Sequence, residues 1–217
     1  MKLLSLEAPR ALEETIHAVQ HGGVIAFPTD TVYGLGASLR FPDALSRIYD
    51  IKGRDSAKPL PVLISSIDRI TVVAEPPDER VLDLLREFWP GGLTIALPAR
   101  PGIPREVIHH DGTVGVRVPD HSIALMLCDR AGGALATTSA NRSGEPPACS
   151  ADEIASQLGE SIDVVLQGGY APCGEPSTVI RVDDARIAVI RHGSIAPERI
   201  EEVWSRIVAK HDLNRYT

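Results

Sequence analysis

The segment GGVIAFPTDTVYGLG, residues 22–36, joins a short apolar run to a polar loop that is rich in glycine and hydroxyl groups. The run VIAF, residues 24–27, is typical of a buried strand that ends where Pro28 follows. Upstream, apolar residues recur at helical spacing over residues 12–19, and two glycines follow where a helix C-cap belongs. A helix that leads into a buried strand and a polar loop is typical of α/β proteins, which gather ligand sites at strand ends.

The same alternation continues along the rest of the chain. Periodicity and capping signals predict further helices that begin at Pro42 and Ser150 and that cover residues 81–88, 121–130 and about 196–210. Short apolar runs predict strands over residues 60–65, 94–97, 113–118, 134–138, 163–167, 178–182 and 187–191. The prediction is one three-layer α/β domain over residues 1–217, with a mixed parallel and antiparallel sheet and a core at about residues 9–195.

The composition is that of a globular protein and disfavours several classes of function. The 217 residues contain 22 basic and 29 acidic side chains, so the formal net charge is −7, which disfavours general binding to a nucleic-acid backbone. Aromatic residues reach 4%, too few for the base-stacking platforms of single-strand binders. No apolar stretch approaches the ~18–20 residues that span a bilayer, and residues 1–10 do not form a signal peptide. We expect a cytoplasmic protein that does not associate with membranes.

The common nucleotide-binding and catalytic motifs are missing from the sequence. There is no G-x-x-x-x-G-K-[ST] loop, no complete G-x-G-x-x-G fingerprint and no G-x-S-x-G elbow. The three cysteines have no C-x-x-C spacing, and His109-His110-Asp111 has no partner at a metal-ligand spacing, so no metal site is predicted. Any activity must therefore come from polar side chains that lie in separate segments.

One group of cations lies between the second predicted helix and the strand at residues 60–65. Lys52 and Arg54 are two residues apart, so they point to the same side of an extended backbone, and Lys58 adds a third positive charge. Such a group suits a polyphosphate or a carboxylate, because arginine offers a planar fork and lysine a point charge. The alternative is an ordinary solvated surface run.

Other polar residues flank the later predicted strands. Ser139 and Asn141, two residues apart, leave a predicted strand and either line a ligand pocket or cap a turn. Arg117 falls within a predicted buried strand, where it needs a partner that is either a bound anion or a structural carboxylate. Arg191 ends a strand in the same way, and Ser177 follows a glycine-containing approach to another strand.

Taken together and in order, these segments resemble the YrdC-like family, and within it the single-domain L-threonylcarbamoyladenylate synthases. The resemblance spans about residues 12–195 and is carried by GGVIAFPTDTVYGLG, IYDIKGRDSAKPLPVLI, WPGGLTIAL, VGVRVPDH, TTSANRSGEPP, PSTVIRV and VIRHGSI. No single segment is decisive, but the ordered set is highly specific. The resemblance implies a twisted mixed sheet with a concave basic cleft. It also implies an enzyme that combines L-threonine, bicarbonate and ATP, with Mg²⁺, into threonylcarbamoyl-AMP and pyrophosphate.

The resemblance further implies partners and site residues. A downstream enzyme complex would transfer the threonylcarbamoyl group to tRNA. The family's Lys, Arg, Ser and Asn tetrad corresponds to Lys52, Arg54, Ser139 and Asn141, with Lys52 and Arg54 as the catalytic residues. The implied ATP-binding residues are Arg54, Lys58, Thr113, Ser139, Asn141 and Arg191, and the implied threonine-binding residues are Thr31, Arg117, Thr137 and Ser177.

The implied chemistry agrees with the residues that are present. Bicarbonate and the threonine amine must give a carbamate, whose oxygen then attacks the α-phosphorus of ATP. Because every reactant except the amine is anionic, we expect catalysis by positioning and cationic screening, without a protein nucleophile. Lys52, Arg54 and Lys58 are expected to hold phosphates, and Mg²⁺ to neutralise the remaining charge.

Two departures from the family pattern and three alternatives accompany this hypothesis. The sequence resembles the type without a second C-terminal domain, and Leu63 stands where some members have a histidine that faces threonine. One alternative is a hydrogenase-maturation carbamoyltransferase, but those chains carry zinc-finger-like cysteine motifs that this sequence does not have. The others are a noncatalytic RNA-binding module and a relative that forms a carbamoyl-adenylate from another amine.

Overall fold

A computed structural model describes residues 1–168, 174–183 and 186–213 of the chain. The described residues form six α-helices, Ala11–Gln20 (α1), Pro42–Lys52 (α2), Glu79–Phe88 (α3), Ser122–Arg130 (α4), Ala151–Leu158 (α5) and Pro197–Leu213 (α6). The ten strands are Lys2–Ser5 (β1), Ile25–Phe27 (β2), Gly34–Ser38 (β3), Val62–Ile64 (β4), Leu93–Pro98 (β5), Thr113–Arg117 (β6), Ala134–Ser139 (β7), Val164–Gln167 (β8), Thr178–Asp183 (β9) and Arg186–Arg191 (β10). Among the described residues, none of the helices combines the length and apolar character that crossing a bilayer requires.

The ten strands form one mixed sheet in the order β1-β8-β2-β3-β7-β4-β6-β5-β9-β10. Four neighbouring pairs are parallel, namely β1 with β8, β8 with β2, β4 with β6, and β5 with β9. The remaining five pairs are antiparallel. The predicted mixed sheet is therefore confirmed.

Neighbouring residues of the central strands belong to different cores, because side chains alternate between the two faces of a sheet. In β4, Val62 and Ile64 join the larger core, whereas Leu63 joins the smaller one. Helices α2, α3, α5 and α6 cover the face of the larger core, and α1 and α4 cover the opposite face. This arrangement confirms the three predicted layers.

The end of the polar segment at residues 28–36 begins a strand, β3, that the sequence pattern did not predict. Gly34 and Gly36 lower the strand propensity of β3, yet β3 lies between β2 and β7 and is buried throughout. A Cβ atom on Gly34 would lie 2.9 Å from Cγ2 of Thr137, closer than real carbon contacts allow. Glycine is therefore needed here so that β3 can approach β7.

The edge strand β1 was also missing from the sequence-based prediction. Its residues are mostly exposed, so the segment shows no burial alternation that could reveal a strand. It pairs in parallel with β8, with Lys2 opposite Val164. The sheet therefore includes a strand that precedes the apolar run at residues 24–27 in the chain.

The end of α2 sets the direction of the cationic segment. Gly53 adopts a left-handed conformation, with φ of 59°, and its N–H bonds back to the helix. Lys52 is thereby kept as the last helical residue and is buried, whereas Arg54 begins the following loop. The two cations, which were predicted to point to the same side, therefore lie in different environments.

Candidate active site

A cavity of about 170 Å³ lies where several loops meet the sheet face that carries α1 and α4. Its volume is below the ~300–1,000 Å³ typical of pockets for drug-sized ligands, so it suits a small metabolite or part of a larger one. Seven of the eleven predicted site residues line it, namely Thr31, Arg54, Arg117, Thr137, Ser139, Ser177 and Arg191. These residues come from six segments that are far apart in sequence.

Strand alternation explains why polar side chains that lie within strands reach the cavity. Thr94 lines it, whereas its neighbour Ile95 belongs to the larger core on the opposite face. The same alternation directs Arg117 of β6 and Thr137 of β7 to the cavity side. The cavity therefore rests on the sheet face as well as on the loops at strand ends.

Arg117 is the most buried guanidinium of the cavity. Its Nε donates to the carbonyl of Gly91 at 2.8 Å, its Nη1 donates to Oγ1 of Thr31 at 3.2 Å, and its Nη2 donates to Oδ2 of Asp30 at 2.5 Å. Burial lowers its pKa, while the charge of Asp30 opposes this shift. The sequence left open whether Arg117 pairs with a bound anion or with a structural carboxylate. In the structure its partner is the carboxylate of Asp30.

Arg191 and Ser177 form one side of the cavity. Nη2 of Arg191 donates to the carbonyl of Ser177 at 2.7 Å and to its Oγ at 3.0 Å. Oγ of Ser177 is also 2.7 Å from Oγ1 of Thr94, which is buried in β5. Arg191 was predicted on the nucleotide side and Ser177 on the threonine side, and the structure joins the two directly.

Three guanidinium groups give the cavity a positive character. Burial lowers the pKa of Arg54, Arg117 and Arg191, and the charges of the other two lower that of Arg191 further. All three stay protonated because guanidinium is too strong a base to lose its proton in a protein. In the part of the chain that the structure describes, Arg54 and Arg191 form no salt bridge with a carboxylate. An anion is therefore the ligand that would best stabilise this arrangement.

Lys52 lies behind the cavity and holds the turn that follows β7. Its Nζ is within hydrogen-bond distance of three oxygens: the carbonyls of Ser139 and Asn141 and, at 3.3 Å, Oδ1 of Asn141. An ammonium has three N–H donors, so these acceptors match its full capacity. Burial lowers the pKa of Lys52 to about 7, and the charge of Arg54 acts in the same direction. The geometry points Lys52 at the protein, and its expected contact with phosphate stays a prediction.

Asn141 extends the same network. It is buried, and its amide donates to the carbonyls of Arg142 at 2.9 Å and Glu145 at 2.7 Å. Its side chain therefore fixes the conformation of the loop that begins at Ser139. Ser139 itself lines the cavity, whereas Lys52 and Asn141 do not.

Lys58 and Thr113 lie outside the cavity lining. The side chain of Lys58 is exposed, while its carbonyl accepts a hydrogen bond from Nε of Arg54 at 2.9 Å. Oγ1 of Thr113 donates to Oδ1 of Asp111 at 2.7 Å. Their expected contacts with ATP stay predictions.

Three functional candidates were missed by the sequence reasoning. Thr94 and Tyr33 line the cavity, and Asp30 binds the guanidinium of Arg117. Thr94 had a usable signal, because it is a polar residue within an apolar strand. Leu63 lines the cavity as well, so this chain has an aliphatic side chain in the cavity wall where the sequence comparison expected a histidine in some family members.

The fold and the cavity define a class, an α/β protein with a small cavity that three guanidinium groups line. The family model Sua5_yciO_yrdC, described as telomere recombination, matches residues 17–193. The chain therefore belongs to the Sua5/YciO/YrdC family, which confirms the resemblance drawn from the sequence motifs.

Individual relatives support the assignment. The chain is 40% identical over 181 residues to threonylcarbamoyl-AMP synthase of Bacillus subtilis, covering 83% of this chain and 52% of that protein. It is 32% identical to threonylcarbamoyl-AMP synthase of Coxiella burnetii, covering 78% of this chain and 91% of that protein. The crystal structure of Pyrococcus abyssi Sua5 complexed with L-threonine superposes with a TM-score of 0.85 at 34% identity, over 93% of this chain and 60% of that one. The chain thus spans about half the length of the Bacillus relative and nearly all of the Coxiella one.

Proposed function

We propose that the protein is an L-threonylcarbamoyladenylate synthase, which forms threonylcarbamoyl-AMP and pyrophosphate from L-threonine, bicarbonate and ATP. The observation that carries this proposal is the convergence of Arg54, Arg117 and Arg191 on one small cavity whose other polar groups are mostly hydroxyls. The names of the Bacillus and Coxiella relatives, and the threonine complex of the Pyrococcus protein, support the same activity.

The proposed reaction has two stages. The ammonium group of threonine loses a proton, and the resulting amine and bicarbonate form a carbamate and release water. A carbamate oxygen then attacks the α-phosphorus of ATP, a new P–O bond forms, and the bond to pyrophosphate breaks. Negative charge gathers around the α-phosphorus in this step, so fixed cations that need no reorganisation lower the barrier.

The three arginines lie at different positions in the cavity, so each binds a different anionic group of the substrates. Arg117, held by Asp30 and Thr31, presents its guanidinium to the carboxylate of threonine. Arg54 and Arg191 form no salt bridge with a carboxylate of the described chain and are available to the phosphate groups. Ser139 lines the cavity beside them, on a turn that Lys52 and Asn141 hold in place. The protein thus supplies position and charge, and ATP supplies the leaving group.

Mg²⁺ enters this proposal as a companion of ATP. Hydroxyls and guanidiniums dominate the cavity lining, whereas Mg²⁺ prefers carboxylate, phosphate and water oxygens. The phosphates of ATP would therefore hold the ion and present part of their charge already neutralised. We further propose that the product passes, in the cytoplasm, to an enzyme complex that modifies tRNA.

The test is direct formation of the product. The purified chain is incubated with ATP, Mg²⁺, bicarbonate and L-threonine, and threonylcarbamoyl-AMP is measured by mass spectrometry, with controls that omit each reactant. Product that requires all three substrates and that favours threonine over serine and valine supports the proposal. Folded protein that binds ATP but forms no adduct contradicts it. Product from another amine in preference to threonine points to a relative with a different substrate.

A further inference from the structure

The carboxylate of Asp30 and the imidazole of His121 each bury a polar atom that has no hydrogen-bond partner. Oδ2 of Asp30 accepts a hydrogen bond from Nη2 of Arg117. In the part of the chain that the structure describes, Oδ1 of Asp30 and Nδ1 of His121 are the two buried side-chain atoms without a partner. Native proteins rarely leave such atoms unpaired, because burial removes their contact with water and nothing replaces it. Both atoms therefore call for a partner inside the protein.

The chain places His121 beside the loop that carries Asp30. Asp120, the residue before His121, lines the same groove of about 450 Å³ as Asp30 and Thr31. Burial lowers the pKa of His121, and the charge of Asp30 is the larger of the two that oppose this shift, followed by that of Asp120. Since a charge acts strongly on a pKa only at short range, the carboxylate of Asp30 is a close neighbour of the imidazole.

His121 occupies the N-cap position of α4 but does not cap the helix. Its backbone is extended, with φ of −150°, and its side chain accepts no hydrogen bond from the first turn. His121 is also not among the described residues that line the cavity or the adjoining groove. Its ring is therefore placed to contact neighbouring side chains of the protein and not a bound substrate.

The carboxylate of Asp30 decides which ring nitrogen of His121 carries the proton. A neutral imidazole has one N–H donor and one acceptor, whereas a carboxylate oxygen only accepts. If Nδ1 were unprotonated, its lone pair would face the lone pairs of the carboxylate. If Nδ1 is protonated, the ring donates to Oδ1 of Asp30. The terminal torsions of aspartate and histidine are soft, so small rotations are enough to form this bond.

We infer that His121 is a positioning residue whose Nδ1–H donates to Oδ1 of Asp30, while Oδ2 of Asp30 holds the guanidinium of Arg117. Both oxygens of the carboxylate then have partners, and Asp30 keeps a single orientation. Arg117 in turn keeps the direction in which it enters the cavity. The kinetic effect of this arrangement rests on the proposed function, in which Arg117 binds the carboxylate of threonine, but the hydrogen bond itself does not.

The tautomer of His121 is the first test. The full chain is labelled with ¹⁵N and studied by NMR at about pH 8, where a buried histidine is neutral. The imidazole signals of His121 are assigned through the backbone of the unmodified protein. We expect a protonated Nδ1 and an unprotonated Nε2. A proton on Nε2 alone would overturn the inference, whatever the activity of the protein.

Two replacements of His121 separate the hydrogen bond from the shape of the ring. Asparagine offers an N–H close to the position of Nδ1, whereas phenylalanine keeps a ring and offers no donor. We expect His121→Phe to raise the KM for L-threonine ~10- to 100-fold, as for a lost hydrogen bond to a charged group, with kcat and the KM for ATP nearly unchanged. His121→Asn should retain most of the affinity for threonine. His17→Phe, at an exposed position of α1, is the control and should leave all three values unchanged.

Two kinetic results would overturn the inference. One is an unchanged KM for threonine in folded His121→Phe. The other is a loss in His121→Asn that equals or exceeds the loss in His121→Phe, because the ring would then act by packing alone. If the unmodified protein forms no threonylcarbamoyl-AMP, the proposed function fails, and the tautomer of His121 decides the inference by itself.

Discussion

Replacement of Lys52 by methionine tests whether this buried cation supports the loop or contacts the substrate. Lys52 is 2% exposed, and its Nζ faces the carbonyls of Ser139 and Asn141 and the side-chain oxygen of Asn141. Methionine keeps a similar length and apolar stem but removes all three donors. We expect Lys52→Met to loosen the turn that places Ser139 in the cavity, and to lower both stability and turnover.

The size of the stability loss follows from the acceptors that lose a donor. A buried acceptor without a partner costs ~1–3 kcal/mol, but the Ser139 carbonyl keeps a second bond from the Asn141 N–H at 3.0 Å. Removal of the buried charge offsets part of the loss, because burial already lowers the pKa of Lys52 to about 7. The free energy of unfolding should fall by about 2–4 kcal/mol. For a chain of this length, that corresponds to a fall in Tm on the order of 4–16 °C.

Urea unfolding and threonylcarbamoyl-AMP formation should be measured for Lys52→Met, Asn141→Ala and the double variant. Residues in one network couple by ~0.5–3 kcal/mol, so the two single losses should not add. Lys58→Met is the matched control, because Lys58 is exposed and its substitution should change stability by less than ~0.5 kcal/mol. Unchanged stability and additive effects, together with lost product formation, would refute the supporting role and indicate direct contact with substrate.

Three further outcomes are expected. Arg54→Ala should lower turnover ~100-fold or more with little loss of stability, since within the described residues its side chain bonds to two loop carbonyls and to no carboxylate; equal losses in kinetics and urea unfolding would indicate a structural role. Gly34→Ala should cost ~1–3 kcal/mol in urea unfolding and reduce turnover by displacing Thr137, whereas Gly174→Ala, which meets no atom within 4 Å, should not. Between pH 7 and 9 the unfolded chain holds a proton that folded Lys52 has lost, because burial lowers the pKa of Lys52 from 10.5 to about 7. The free energy of unfolding should therefore rise with pH relative to Lys52→Met, by at most ~1.4 kcal/mol per unit, and parallel curves would contradict this assignment.

The helices and most strands could be predicted because their signals are local. The apolar spacing before Gly22, the run at residues 24–27 and the shared face of Ile200 and Ile207 each reflect burial of one side of an element. Strand β3 was not predicted because its glycines have no side chains and so contribute nothing to an alternating apolar pattern. Their role appears only when Thr137 of the neighbouring strand is in place.

The candidate site was predictable in part. Ordered motifs identified seven residues that line the cavity, Arg54 and Arg117 among them, because the motifs lie in or next to recognisable strands. The motifs could not separate residues that face the cavity from those that support it. One residue, Gly53, separates Lys52 from Arg54. Because Gly53 is left-handed, Lys52 is buried at the end of α2 whereas Arg54 lines the cavity.

The sequence by itself determined the α/β class, the order of the helices and of every strand but β1 and β3, the buried faces and the residue types available for anion binding. The tertiary structure alone decided which of these groups meet. Asp30 binds Arg117 across 87 positions, and Lys52 reaches the loop of Asn141 across 89. Such contacts depend on the order of strands in the sheet, with β3 placed between β2 and β7, and on their register. Local periodicity encodes neither, because it records only which side of each element is buried.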